Sequence, residues 1–206
     1  MIFVRKFFSH SCVSILAATF ALSGCTTFEG EYADPTGVEI VDDRWNETDA
    51  RKTAETMISG MISKPWLKAF KEANGKRPLV IVGDVKNRTD EHIDTQALVD
   101  FITDELINSG RVRFVDAANR ERILKEIEYQ NDSGMVSGST AKKRGRQKGA
   151  DFLLFGTLSS NVHTREGLKR VTYQTNLRLT DLESAEIVWS DKKLITKRFN
   201  RSGSSW

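Results

Sequence analysis

From residue 170 to 180 the chain reads RVTYQTNLRLT, with Val171, Tyr173, Thr175, Leu177 and Leu179 alternating with Arg170, Thr172, Gln174, Asn176, Arg178 and Thr180. A period of two puts one set on each face of a strand, whereas a helix would scatter both sets around its circumference. One face is therefore buried and the other wet, the condition of an antiparallel sheet. The turn-rich TDLESAE and a second extended run, IVWSDKKLITKRF, follow directly. The spacing predicts a long hairpin.

Upstream segments supply the rest of a sheet and its helices. RPLVIVGDV (77–85) and DFLLFGTLSS (151–160) are short apolar runs of the kind that form buried strands, and RVRFVD (111–116) is a shorter one. A helix is predicted to start near Thr48, as its cap, and to carry Ala50, Ala54, Met57, Ile58 and Met61 on one stripe until Pro65 breaks it. A second short helix spans 66–73. A third, 94–109, carries Ile93, Ala97, Phe101, Ile102 and Leu106, with Gly110 in the capping position. Asp116 is placed to cap a fourth, which holds Ile123, Leu124 and Ile127. NDSGMVSGST reads as a loop, and 139–148 as a short basic helix. The fold class expected is α/β: a single small domain with helices packed on a mixed sheet that ends in an antiparallel three-stranded meander.

The first residues obey a different logic. Arg5 and Lys6 precede an apolar run, 13–22, that ends in Leu22-Ser23-Gly24-Cys25. A ten-residue run falls well short of the roughly 20 that span a bilayer, and the pattern is that of a secretory signal. Leu-Ser-Gly-Cys resembles the lipobox of bacterial lipoproteins, which implies cleavage before Cys25 and its acylation. More than one acyl chain gives stable anchoring where a single chain binds only marginally. Thr26 follows, where retention at the inner membrane would call for an aspartate. Residues 1–24 are then a signal peptide, 25–45 a short acidic tether, 46–200 the globular domain and 201–206 a loose tail.

Processing changes what composition implies. The formal charge of +3 comes from 31 Lys and Arg against 28 Asp and Glu. Loss of Arg5 and Lys6 lowers it to about +1, too little for a nucleic-acid-binding field. Both cysteines are accounted for, Cys12 leaving with the signal and Cys25 taken by lipid, so neither a disulfide nor a thiol nucleophile is expected. The tether holds Glu29, Glu31, Asp34, Glu39, Asp42 and Asp43 and no base before Arg44. About 20 residues at about 3.3–3.6 Å each reach no further than about 70 Å.

Three stretches together, NRTDEHIDT, LINSGRVRFVDAANRERILKEIEYQ and GADFLLFGTLSS, resemble the LpoB family over about residues 77–199. That resemblance implies an α/β fold similar to the N-terminal domain of TolB and to the CsgG family. It implies an outer-membrane lipoprotein, facing the periplasm, that binds and activates a bifunctional class A penicillin-binding protein in peptidoglycan synthesis. A TolB- or CsgG-like envelope assembly or secretion component is the alternative.

The residues themselves point away from catalysis. His92 and His163 stand far apart in the chain, with no second His or Cys at metal-ligand spacing, and no phosphate loop or dinucleotide motif occurs. No catalytic residue, metal or cofactor is therefore expected. Two clusters are candidate partner-binding sites. Asn87, Arg88, Asp90 and His92 lie in a polar loop after a buried strand, where binding residues often sit, although Asx turns would explain Asn87 and Asp90 equally. Arg144 and Arg146 belong to the basic run 142–148, either a solvated face or an electrostatic docking patch.

Overall fold

The computed structural model describes Asp34, Gly37 and residues 42–200. The chain divides into two units, Met1–Gly37 and Val38–Trp206, and all helices and strands among the described residues lie in the second. The signal peptide, Cys25, most of the acidic tether and the tail 201–206 fall outside the described residues.

The elements run α1 (Glu47–Ile62), α2 (Pro65–Asn74), β1 (Leu79–Arg88), α3 (Thr95–Asn108), β2 (Arg113–Phe114), α4 (Arg120–Asp132), β3 (Phe152–Arg165), β4 (Leu168–Asp181) and β5 (Ile187–Asn200). They form one mixed five-stranded sheet in the order β2-β1-β3-β4-β5. β1 is parallel to both its neighbours, and β3, β4 and β5 form the expected antiparallel meander. The alternation that opened the argument is realised residue by residue: Val171, Tyr173, Thr175, Leu177 and Leu179 are all buried.

α1 and α3 pack against each other, with α3 on β1 and α1 on β5. The α1 stripe of Ala50, Ala54, Met57, Ile58 and Met61 is buried throughout. Fully burying a side chain such as Met57 or Ile58 contributes roughly 1.5–3 kcal/mol. α2 closes one end of the core through Trp66 and Phe70, which meet Phe152 edge to face at 5.3 and 5.2 Å between ring centroids.

Several boundaries differ from expectation, each for a local reason. α1 is capped by Asn46 rather than Thr48, because Asn46 and Asp49 exchange backbone hydrogen bonds, each 3.1 Å, in a capping box. β1 runs past Val85 to Arg88, since a bulge between Val82 and Val85 lets Lys86, Asn87 and Arg88 continue the parallel ladder with β3. The strand thus takes in the first part of what reads as a polar loop. In α3 the row facing the core is Leu98, Ile102 and Leu106. Ala97 is exposed and Ile93 and Phe101 are half-buried. One residue is 100° of helix, enough to turn that second row toward a groove.

The last two corrections concern the segment between β2 and β3. α4 is capped at Asn119, and Asp116 instead accepts the Asn119 backbone N–H at 3.1 Å. None of its residues is buried, so Ile123 and Leu124 are exposed. The basic helix expected over 139–148 is absent, replaced by turns with Gly145 at φ +71°. Side chains of α4 satisfy the backbone there: Gln130 accepts the Lys142 N–H at 3.0 Å, and Asn131 donates to the Lys142 carbonyl at 2.8 Å.

Candidate functional site

A groove of about 710 Å³ opens between the start of α1, the loop 89–94 and one side of α3. Its floor is apolar, formed by Trp45, Ala50, Ile93 of the loop and Phe101 on the side of α3 turned away from the core. Its walls carry Glu47, Asp90, Glu91, Asp94, Asp100 and Asp104, against Arg44 and His92 as the bases. Six carboxylates around one recess give it an anionic field that attracts cationic groups.

Loop 89–94 is held in place by its own polar side chains. Asn87 donates to the Glu91 carbonyl at 2.8 Å and accepts the Thr89 N–H at 2.9 Å, an Asx turn. Asp94 caps α3 by accepting the Gln96 N–H at 2.9 Å. Behind the loop, the Tyr173 hydroxyl on β4 hydrogen-bonds the Glu91 carboxylate and the Asp43 carbonyl, and Trp45 packs edge to face on the Tyr173 ring at 5.4 Å. Glu91 also accepts the Trp45 N–H at 3.3 Å. Burial, and then the neighbouring Glu91 carboxylate, push the Tyr173 phenol well above its usual pKa of 10. The network thus pins the groove to the sheet through neutral Tyr173.

The candidate residues separate into three places. Asp90 and His92 are exposed on the groove, and Asn87 serves the loop beside it. Arg88, although next in sequence to Asn87, pairs in register with Ser159, whereas Asn87 pairs with Leu158. The pleat therefore sends Arg88 to the opposite face of the sheet. Arg144 is ion-paired to Asp132 at the end of α4 and lines a small pocket with Leu124 and Ile127, and Arg146 is exposed nearby. Glu91, Trp45, Phe101 and Tyr173 were not singled out as site residues from the sequence. Phe101 carries a readable signal, since it is the apolar residue left over when the 98, 102, 106 row fills the core. Among the described residues no group of three or more His, Cys, Asp or Glu could hold a metal ion, and no helix is long and apolar enough to cross a membrane.

Fold and site together define a small single-sheet α/β domain whose exposed recesses and faces are lined by charge. The model of the family described as peptidoglycan-synthase activator LpoB matches residues 49–195, from α1 to within β5, and the chain belongs to that family. It is similar to the penicillin-binding protein activator LpoB of Escherichia coli (strain K12), 23% identical over 120 residues that make up 58% of this chain and 53% of that protein. The protein of the same name from Enterobacter sp. (strain 638) is 22% identical over 120 residues, 58% of this chain and 52% of that protein. The chain thus spans about half the length of these relatives. Similar solved structures include the LpoB C-terminal domain from Escherichia coli (TM-score 0.45, 20% identity, covering 71% of this chain and 98% of that one). The NMR structure of E. coli LpoB aligns with TM-score 0.43 at 17% identity, covering 88% of this chain and 87% of that one.

Proposed function

We propose that this protein is an outer-membrane lipoprotein, anchored through Cys25, that activates a class A penicillin-binding protein by direct protein contact. The observation that carries the reading is the family match over residues 49–195, which takes in the helices and the sheet. Supporting it are the Leu-Ser-Gly-Cys sequence at the end of a short apolar run and a domain surface with strong, separated charge. The same match favours an activator over an assembly or secretion component. Such a protein acts without chemistry of its own. It raises the synthase rate only to the extent that it binds the active conformation more tightly than the resting one. A tenfold shift in that equilibrium needs about 1.4 kcal/mol of differential affinity, which a few charge-assisted contacts supply.

The direct test adds the full-length lipoprotein, in detergent, to the class A synthase of the same cell and measures glycan polymerisation. Stimulation that saturates with the lipoprotein supports the reading, and its absence rejects it. Location has its own test. Cys25→Ser is expected to release the protein from the outer-membrane fraction, and retention of the variant after a high-salt wash places the anchor elsewhere.

A further inference from the structure

The pleat gives the sheet two faces of different chemistry. Inward positions of β3, β4 and β5 carry the core, and two of the three inward lysines there have carboxylate partners: Lys169 with Asp43, and Lys197 with Asp49, while Lys193 stands beside Thr175. Outward positions carry cations. Lys86, Thr157, Asn176 and Lys192 stand side by side in one cross-strand row, Arg88, Ser159, Gln174 and Leu194 in the next, and Arg170 and Arg198 further along, with Arg178 on the same face beside Phe155. Lys86, Arg88, Arg170, Arg178, Lys192 and Arg198 are all exposed, and none makes an ion pair among the described residues. The acids within β3, β4 and β5 are Asp181 and Asp191, and both pair with inward residues, Phe152 and Leu177. An added Cβ on Gly60 of α1 would lie 3.8 Å from the Asp191 carboxylate, which places that side chain on the helix side. Asp84, in the β1 bulge, is the remaining carboxylate of β1.

This arrangement works against the stability of the fold taken alone. Arg170 and Arg198 are direct cross-strand partners, and like charges in that position are destabilising. Neither arginine has a carboxylate partner among the described residues, so a docked acidic group would relieve the repulsion. The layout also indicates its shape. Lys86 and Lys192 sit three strands apart, about 14 Å, with Thr157 and Asn176 between them in that row and Arg170 and Arg178 further along β4. Half-exposed Leu194 and partly exposed Phe155 stand among these polar groups. A linear polyanion calls for a continuous line of cations. A broad face of dispersed cations, hydroxyls and amides with two apolar side chains matches the anatomy of a protein interface. We infer that the outward face of the β1-β3-β4-β5 sheet is the docking surface for a protein with an acidic face. Only the partner's name, the synthase, rests on the function proposed above.

The test uses the full-length protein with Lys86→Glu plus Lys192→Glu, and separately Arg170→Gln plus Arg198→Gln. The association rate with the synthase is measured across salt concentrations, and circular dichroism and melting confirm folding. Charge reversal is expected to slow association tenfold or more at low salt and to flatten its salt dependence. The neutral pair is expected to do the same to a smaller degree while melting no lower than wild type. Unchanged association in both folded variants overturns the inference. A photo-crosslinking residue in place of Asn176 covers the case in which wild type binds no synthase. A crosslinked protein that, once purified, binds wild type and loses the reversed variant supports the surface while rejecting the synthase as partner. Crosslinks to glycan alone, capture by anionic phospholipid vesicles without any protein crosslink, or no crosslink at all overturn the inference.

Discussion

Lys197 of β5 and Asp49 of α1 form an ion pair of 2.7 Å whose side chains are only 4% and 8% exposed. The ammonium also donates to the Arg44 carbonyl, and the carboxylate accepts the Asn46 N–H at 3.1 Å. One buried pair therefore joins the last strand to the cap of the first helix and to the segment that leads into it. Lys197→Met strands a buried carboxylate and is expected to cost about 3–5 kcal/mol, whereas Lys197→Met with Asp49→Asn recovers most of that loss. Urea melts of the single and double variants measure both values. Equal destabilisation by the two variants would show that packing, not charge, is what Lys197 supplies.

Gly156 of β3 lies opposite Leu177 in the ladder, and a Cβ built on it would stand 2.2 Å from the Asn176 carbonyl oxygen and 2.6 Å from Leu177 Cδ2. The carbonyl is sheet backbone and cannot rotate away. Gly156→Ala is expected to destabilise by about 1–3 kcal/mol or more, against the usual benefit of replacing glycine within a strand. Thermal melting checks the sign, and a stabilised variant would mean that the β3-β4 pair opens to admit a methyl group.

These two sites show where sequence reading reaches its limit. The outward and inward sets of β4 were legible because a period of two is local information. So was the α1 stripe, and so was Gly110 just past α3, which adopts φ +61°. Lys197 was not legible as a buried residue, because an isolated lysine in IVWSDKKLITKRF reads as solvated and its partner lies in the first helix. The segment 139–148 was expected to be a short basic helix, but α4 offers its backbone other hydrogen-bond partners, and tertiary contact outweighs propensity. The NRTDEHIDT stretch reads as a polar loop, but its first two residues, Asn87 and Arg88, belong to β1. Its division between two faces depended on the bulge at Val82/Val85, which moves the strand end and leaves no mark in periodicity.

Tyr173 sets the alkaline behaviour. Its phenol is held above the usual 10 by burial first and by Glu91 next, so the folded state keeps a proton that the unfolded chain gives up. The stabilising contribution is complete below about pH 10, the unfolded value, and is lost as pH rises past it toward the higher folded value. Ultraviolet titration should show Tyr173 ionising only as the protein unfolds, and Tyr173→Phe should flatten the fall in stability between about pH 10 and 12. Reversible ionisation of every tyrosine in the folded protein near pH 10 would contradict the hydrogen-bonded, buried phenol.

The split of the loop makes the most discriminating functional prediction. Arg88 stands beside Ser159 on the outward sheet face, while Asp90 and His92 stand on the groove, on the helix side. If docking uses the outward face, Arg88→Glu slows association with the synthase, while Asp90→Asn and His92→Ala leave the rate within about twofold of wild type. Arg144→Ala serves as a further control. It removes an exposed ion pair with Asp132, with side chains 59% and 64% exposed, and surface pairs of this kind contribute about 0–1 kcal/mol. Its melting temperature and association rate should match wild type closely. The measurement is stopped-flow association at two salt concentrations for all four variants. Slower association for Asp90→Asn or His92→Ala with Arg88→Glu unchanged would move the contact to the acidic groove, and the partner would then have to present a basic surface.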